Sequence, residues 1–66
     1  MKEFFEFDDV NDSHFLVFTS NVVGFMTRKG EVGCTVLLSN QTTVTTKLSQ
    51  KEVLEKMQLT DNVTNI

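Results

Sequence analysis

The sequence predicts a small, mostly β domain of the α+β class, an antiparallel sheet of about five strands followed by one short C-terminal helix. Three observations support this class. Short stretches of alternating apolar and polar residues recur along most of the chain, which is the period of half-buried strands. Clusters of Asp, Asn, Ser and Gly separate these stretches, as expected at turns. Helical spacing appears only near the C-terminus, directly behind a capping motif.

The first hairpin is predicted over residues 3–18, with its turn at residues 8–13. The turn reads Asp-Asp-Val-Asn-Asp-Ser, and these side chains hydrogen-bond to nearby backbone groups and tolerate left-handed conformations. Before the turn, alternation places Phe5 and Phe7 on one face of the first strand and leaves Phe4 on the other.

Residues 22–28 are predicted to form a third strand, interrupted by Gly24. A glycine inside a strand often marks a β-bulge or a close approach of two backbones. The loop that follows contains Gly30 and Gly33, both suited to positive φ angles. The chain then enters its next strand at Cys34.

The clearest hairpin spans residues 34–48, with Asn40 and Gln41 at its turn. Asn suits the first position of a two-residue type I′ turn, but Gln stands where Gly is usual, so a loop of three or four residues is an open alternative. A shift of one residue in register would exchange the two faces of the strands. The predicted core residues of this hairpin are Val36, Leu38, Val44 and Leu48.

The helix is predicted over residues 50–58. Ser49 and Glu52 fit a capping box, in which each side chain bonds to the backbone N–H of the other residue. Residues 59–66 are predicted to be a flexible tail, so residues 1–58 form a single domain. The apolar stripe of the helix consists of Val53, Leu54 and Met57.

This order of elements resembles the small FlbD-type proteins of bacteria and phages. The similar stretches are residues 10–17, 21–23, 36–44 and 49–57. The hairpins are also similar to those of LytTR-type DNA-binding domains. The FlbD-type resemblance implies the same fold and a small accessory protein of the flagellar system, with no catalytic residues. Gln41 differs from that family, which has a turn glycine at this position.

The composition argues against several classes of function. The net charge is −3, with no basic stripe of the kind that neutralises phosphates of duplex nucleic acid. One histidine and one cysteine without paired ligand spacing predict no metal and no cofactor. A single thiol, the absence of a secretion signal and the absence of a long apolar run predict a cytoplasmic protein that does not enter membranes.

Two constellations are candidates for chemistry. Asp8, Asp9 and Asp12 lie near His14 in sequence and could form an acid–base site. Cys34 could pair with the same histidine as a nucleophile. The favoured interpretation is a solvated turn and a small core cysteine, because no further base or oxyanion donor accompanies them. The chain is therefore predicted not to be an enzyme.

Six phenylalanines in a chain without Trp or Tyr exceed the needs of one small core. Both faces of the first strand carry Phe, which predicts a subunit interface and a homo-oligomer that also docks a protein partner. The candidate interface residues are Phe4, Phe5, Phe7, Phe18 and Phe25.

An alternative hypothesis is a regulator or inhibitor that binds a nucleotide or nucleic acid. It depends on three basic side chains in the mildly basic middle of the chain and on the threonine-rich last strand, whose hydroxyls could donate hydrogen bonds to a phosphate. The candidate ligand-binding residues are Arg28, Lys29, Thr43, Thr45 and Lys47.

Overall fold

The computed structural model describes residues 2–58. In this part of the chain, antiparallel strands and one C-terminal helix confirm the predicted mostly β class. The strands form two sheets, a two-stranded β1–β2 and a three-stranded β3–β4–β5, and the predicted tail at 59–66 lies outside the described residues. The elements are β1 (Phe4–Asp8), β2 (His14–Phe18), a 3₁₀ turn (Thr19–Asn21), β3 (Val22–Met26), β4 (Cys34–Leu38), β5 (Thr43–Thr46) and α1 (Gln50–Gln58).

Within residues 2–58, two hydrogen bonds join the first hairpin to β5. The backbone N–H of Val10, in the β1–β2 loop, donates to the carbonyl of Thr45 over 3.0 Å. The hydroxyl of Thr46 donates to the carbonyl of Asp8 over 2.8 Å. Thr46 is fully buried, and its hydroxyl also accepts the N–H of Leu48. A buried hydroxyl needs such partners, so these bonds fix the first hairpin against the end of β5.

One hydrophobic core lies between the two sheets and the helix. Val36 and Val44 are buried as predicted, and they face each other across β4 and β5. Leu38 and Leu48 are half-buried and pack against the core from its edge. The buried apolar residues are Phe5, Phe7, Val17, Cys34, Val36, Val44, Val53 and Met57.

The β4–β5 hairpin closes with a three-residue loop, which was one of the open alternatives. The N–H of Leu38 donates to the carbonyl of Thr42, and the N–H of Gln41 donates to that of Leu38. Gln41 has a φ of 69°, so it occupies the left-handed position that usually follows a type I turn in such loops. The carboxamide of Asn40 accepts the N–H of Thr42 and supports the turn.

The β1–β2 hairpin repeats this geometry. The N–H of Asp9 donates to the carbonyl of Ser13, and the N–H of Asp12 donates to that of Asp9. Asp12 has a φ of 65° and takes the left-handed position that Gln41 takes in the other loop. Asp is tolerated there because its short polar side chain can bond locally.

Strand β3 is shorter than predicted, ending at Met26 rather than Arg28. Its pairing with β4 is interrupted between Val22 and Gly24, which confirms the bulge expected at the glycine. Beyond the strand, the side chain of Gln50 donates to the Thr27 hydroxyl over 2.6 Å. The loop that leaves the sheet is thereby attached to the start of α1.

The helix begins and is capped as predicted. The N–H of Glu52 donates to the Ser49 hydroxyl over 3.1 Å, and the Glu52 carboxylate accepts the N–H of Ser49 over 2.8 Å. Val53 and Met57 are buried, but Leu54 is 40% exposed. The predicted stripe was therefore wrong at Leu54, because residues i and i+4 lie on one helix face while i+1 is turned about 100° away.

Among residues 2–58, no helix combines the length and apolar character needed to cross a bilayer.

The two glycines of the β3–β4 loop have similar φ angles but different surroundings. A Cβ on Gly33 would lie 2.2 Å from the Thr46 carbonyl oxygen, whereas a Cβ on Gly30 would meet nothing within 4 Å. We expect Gly30→Ala to cost about 1 kcal/mol through backbone strain alone. We expect Gly33→Ala to cost more than about 4 kcal/mol, which is most of the stability of a small domain. Thermal unfolding by circular dichroism measures both, and equal losses would contradict the close approach.

The left-handed Gln41 predicts a stabilising substitution. Gln41→Gly relieves the steric cost of the positive φ and should raise the unfolding free energy by about 0.5–1 kcal/mol. Asn40→Gly is the matched control, because Asn40 lacks a positive φ and loses its bond to Thr42, so this variant should be less stable than the parent. Urea unfolding followed by circular dichroism compares them. A destabilised Gln41→Gly would contradict the loop geometry.

Candidate interaction surface

The first hairpin has an inner face in the core and an outer face in solvent. Cross-strand pairing arranges the outer face in three rows along the hairpin, each with one residue from β1 and one from β2. We call this surface the outer hairpin face. Its rows are Phe4 with Phe18, Glu6 with Leu16, and Asp8 with His14.

One end of the outer hairpin face is apolar. The rings of Phe4 and Phe18 meet edge to face with centroids 6.3 Å apart. Phe4, Leu16 and Phe18 are 43%, 53% and 50% exposed, respectively. Leu16 precedes Phe18 by two residues in β2, so the three side chains are contiguous on one face. We call these three residues the apolar patch.

The other end of the face holds His14 between two carboxylates. Its Nδ1 lies 2.7 Å from Asp8 Oδ1, and its Nε2 lies 2.7 Å from Glu6 Oε1. The hydrogen bonds to Glu6 and then to Asp8 raise the pKa of His14 above its ordinary value of 6.5. The imidazolium can donate to both partners at once, while neutral imidazole has only one N–H to donate.

This histidine lies in an open cleft of about 360 Å³. The cleft brings the sequence-predicted acid–base candidates Asp8, Asp9 and Asp12 together with His14. Of these three aspartates, Asp8 bonds to the ring, whereas the Asp9 carboxylate accepts the N–H groups of Asn11 and Ser13 within the turn. Within residues 2–58, no group of three or more His, Cys, Asp or Glu side chains has a geometry that could hold a metal ion.

Cys34 is a core residue, and the structure does not bring it to His14. The thiol is packed among buried side chains, and burial raises its pKa. The histidine instead stands on the outer hairpin face, with both ring nitrogens facing carboxylates. A raised thiol pKa lowers the thiolate fraction, which is the opposite of what a nucleophile requires.

The five candidate interface phenylalanines divide into three groups. Phe5 and Phe7 are buried in the core with stacked rings 5.6 Å apart, so they are unavailable to a partner. Phe25 is half-buried against the core. Phe4 and Phe18 remain exposed. Leu16 was missed as an interface candidate, although its position in the alternating second strand puts it on the same face as Phe18.

The candidate ligand-binding residues lie on different parts of the fold, with Arg28 and Lys29 in the β3–β4 loop. Thr43 and Thr45 are exposed on the outer face of β5, where Thr45 bonds to the hydroxyl of Thr35. Lys47 instead lines the cleft that contains His14 and its carboxylates. Carboxylates beside that lysine disfavour a phosphate there, and the nucleotide hypothesis stays a prediction.

Comparisons with models of protein families, with curated proteins and with solved structures find no match to this chain.

The geometry around His14 predicts how its pKa responds to substitution. Glu6→Gln and Asp8→Asn should both lower the His14 pKa, and Glu6→Gln should lower it more, because the bond to Glu6 is the larger cause of its elevation. Glu31→Gln, in the β3–β4 loop, is the control and should leave it unchanged. The chain has a single histidine, so its ring-proton NMR signal reports the titration directly.

The raised pKa of His14 also makes the stability of the folded state depend on pH. A group with a raised pKa in the folded state stabilises that state fully below its unfolded pKa, and this contribution is lost as pH rises through the folded value. The first hairpin should therefore be more stable below pH 6.5 than above the raised pKa of His14. Hydrogen exchange of the β1 and β2 amides at the two ends of this range measures the effect, and faster exchange at the lower pH, after correction for intrinsic rates, would contradict it.

Proposed function

We propose that this protein is a non-enzymatic interaction protein that self-associates through the apolar patch of Phe4, Leu16 and Phe18. The single observation that carries the proposal is the exposure of three contiguous large apolar side chains on the outer hairpin face. Contiguous exposed patches of this kind mark interaction sites more often than isolated apolar residues do.

The size of the domain favours a second copy as the occupant. The chain has 66 residues, and such small domains bury only about 60% of the surface of the unfolded chain. Among residues 2–58 the one cysteine is free, so no disulfide strengthens the described core, and no cluster of candidate metal ligands is found there. Association is the remaining common means by which small domains gain stability.

The area of the apolar patch fits a weak dimer. A fully buried Phe covers roughly 150–250 Å², so the patch at half exposure presents about 300 Å². A standard interface covers about 800 Å² on each side, of which somewhat more than half is apolar. The patch therefore supplies about two thirds of the apolar area that one side needs.

The distribution of charge on the same face favours an antiparallel arrangement. All three apolar side chains lie in the first two rows, and the carboxylates of Glu6 and Asp8 lie in the second and third. A twofold axis between the Phe4–Phe18 row and the Glu6–Leu16 row sets each Phe pair against the partner copy's Leu16 and directs the two Asp8–His14 rows apart. Parallel stacking would instead bring the two acidic ends, each with two carboxylates and one histidine, against each other, which is less favourable.

Light scattering after gel filtration, across a series from micromolar to millimolar concentration, tests the proposal. We expect the mass to rise from 7.5 kDa toward twice that value as the concentration increases. The double variant Leu16→Ser with Phe18→Ser should stay monomeric. Val32→Ser is the matched control, because Val32 is 90% exposed but lies in the β3–β4 loop, and it should associate like the parent.

A chain that stays monomeric throughout the series would refute self-association. Association that survives in the double variant would place the interface elsewhere. Circular dichroism of each variant confirms that folding is retained, since both substituted side chains are half exposed.

A further inference from the structure

Glu6 connects the apolar patch to His14. It lies directly opposite Leu16 in the middle row, and its carboxylate also accepts a hydrogen bond from Nε2 of His14. A second copy seated on the apolar patch covers Leu16 and removes water from its cross-strand neighbour. Removing water from a carboxylate is costly unless a cation or a hydrogen-bond donor stays with it.

The protonation state of His14 decides whether that donor is present. As an imidazolium the ring donates to Glu6 and Asp8 together and neutralises one of their two charges. After the proton leaves for the solvent, the ring has one N–H, and one carboxylate faces a nitrogen lone pair. The net charge of the face is then more negative by one, and either Glu6 or Asp8 lacks its donor.

Several segments of the chain contribute charged side chains to the cleft around His14. The turn of the first hairpin, the segment after β5 and the helix α1 all contribute to its lining. Histidine is the side chain whose ordinary pKa lies nearest neutrality, so His14 is the group in the cleft suited to titrate there. The charged groups of the lining, besides His14, are Glu6, Asp8, Asp9, Asp12, Lys47 and Lys56.

We propose that a proton on His14 controls self-association through the apolar patch, with the protonated state favouring the dimer. This inference rests on the proposed function and adds its regulation. Association takes up protons, because docking stabilises the imidazolium that accompanies Glu6. By linkage, the dimer weakens as pH rises through the titration of His14. For each unit by which docking raises the pKa of a histidine, that histidine makes the association constant at low pH about tenfold larger than the constant at high pH.

Sedimentation equilibrium at about pH 5.5 and about pH 8.5 tests the proposal, since these values lie on either side of an ordinary histidine titration. We expect the parent chain to associate at least tenfold more tightly at the lower pH. His14→Gln keeps both carboxylates but removes the titrating group, so its association should be the same at both values. Lys56→Gln, which alters another charge of the cleft, should keep the pH dependence of the parent.

A second readout uses the ring-proton NMR signal of His14. The pKa of His14 should be higher at a protein concentration where dimers dominate than at a concentration where monomers dominate. Equal association of the parent at both pH values would overturn the proton control and leave self-association intact. A pH dependence that persists in His14→Gln would assign it to the carboxylates and overturn the proposal. A chain that is monomeric at both values would refute the proposed function together with this inference.

Discussion

The structure depends on the junction between the first hairpin and the end of β5. The buried hydroxyl of Thr46 and the N–H of Val10 bond across this junction, and they orient the hairpin so that one face is covered. With Phe5 and Phe7 turned inward, the two sheets and the helix enclose one core. The same orientation leaves the opposite face of the first hairpin uncovered by the other elements of residues 2–58. Exposure of the apolar patch is therefore a consequence of how the core is closed.

Close packing and positive φ angles restrict the backbone near this junction. Gly33 approaches the carbonyl of Thr46 so closely that a side chain cannot fit, and this contact holds the start of β4 against the end of β5. Both hairpins use the same three-residue loop with a non-glycine residue in the left-handed position. The second loop fixes the register that puts Val36 and Val44 in the core. The first fixes the register that pairs His14 with Asp8.

Apolar and ionic features share the outer hairpin face because the strand period places every second residue there. Phe4 and Phe18 form one end, and His14 with its carboxylates forms the other. The row between them contains both Leu16 and Glu6, so a partner that covers the apolar part also changes the solvation of the ionic part. This adjacency links the proposed association to the protonation of a single side chain.

Local sequence patterns predicted the strands, the helix and much of their burial. Alternation assigned Phe5 and Phe7 to one face, and the capping box set the start of the helix, because these patterns arise from contacts within a few residues. These patterns did not decide the length of the β4–β5 loop, since Gln41 is an unusual residue for a left-handed position. They also assigned Leu54 to the buried face of the helix, although it is exposed.

Which of the two Phe-bearing faces of β1 is covered depends on long-range contacts that no local pattern encodes. That outcome depends on hydrogen bonds between segments more than 30 positions apart, such as Thr46 with Asp8, and local patterns do not encode which distant partner a strand meets. The partners of His14 have the same origin. The sequence put Asp8 near His14, but the bond to Glu6 required the strand pairing that brings the two side chains onto one face.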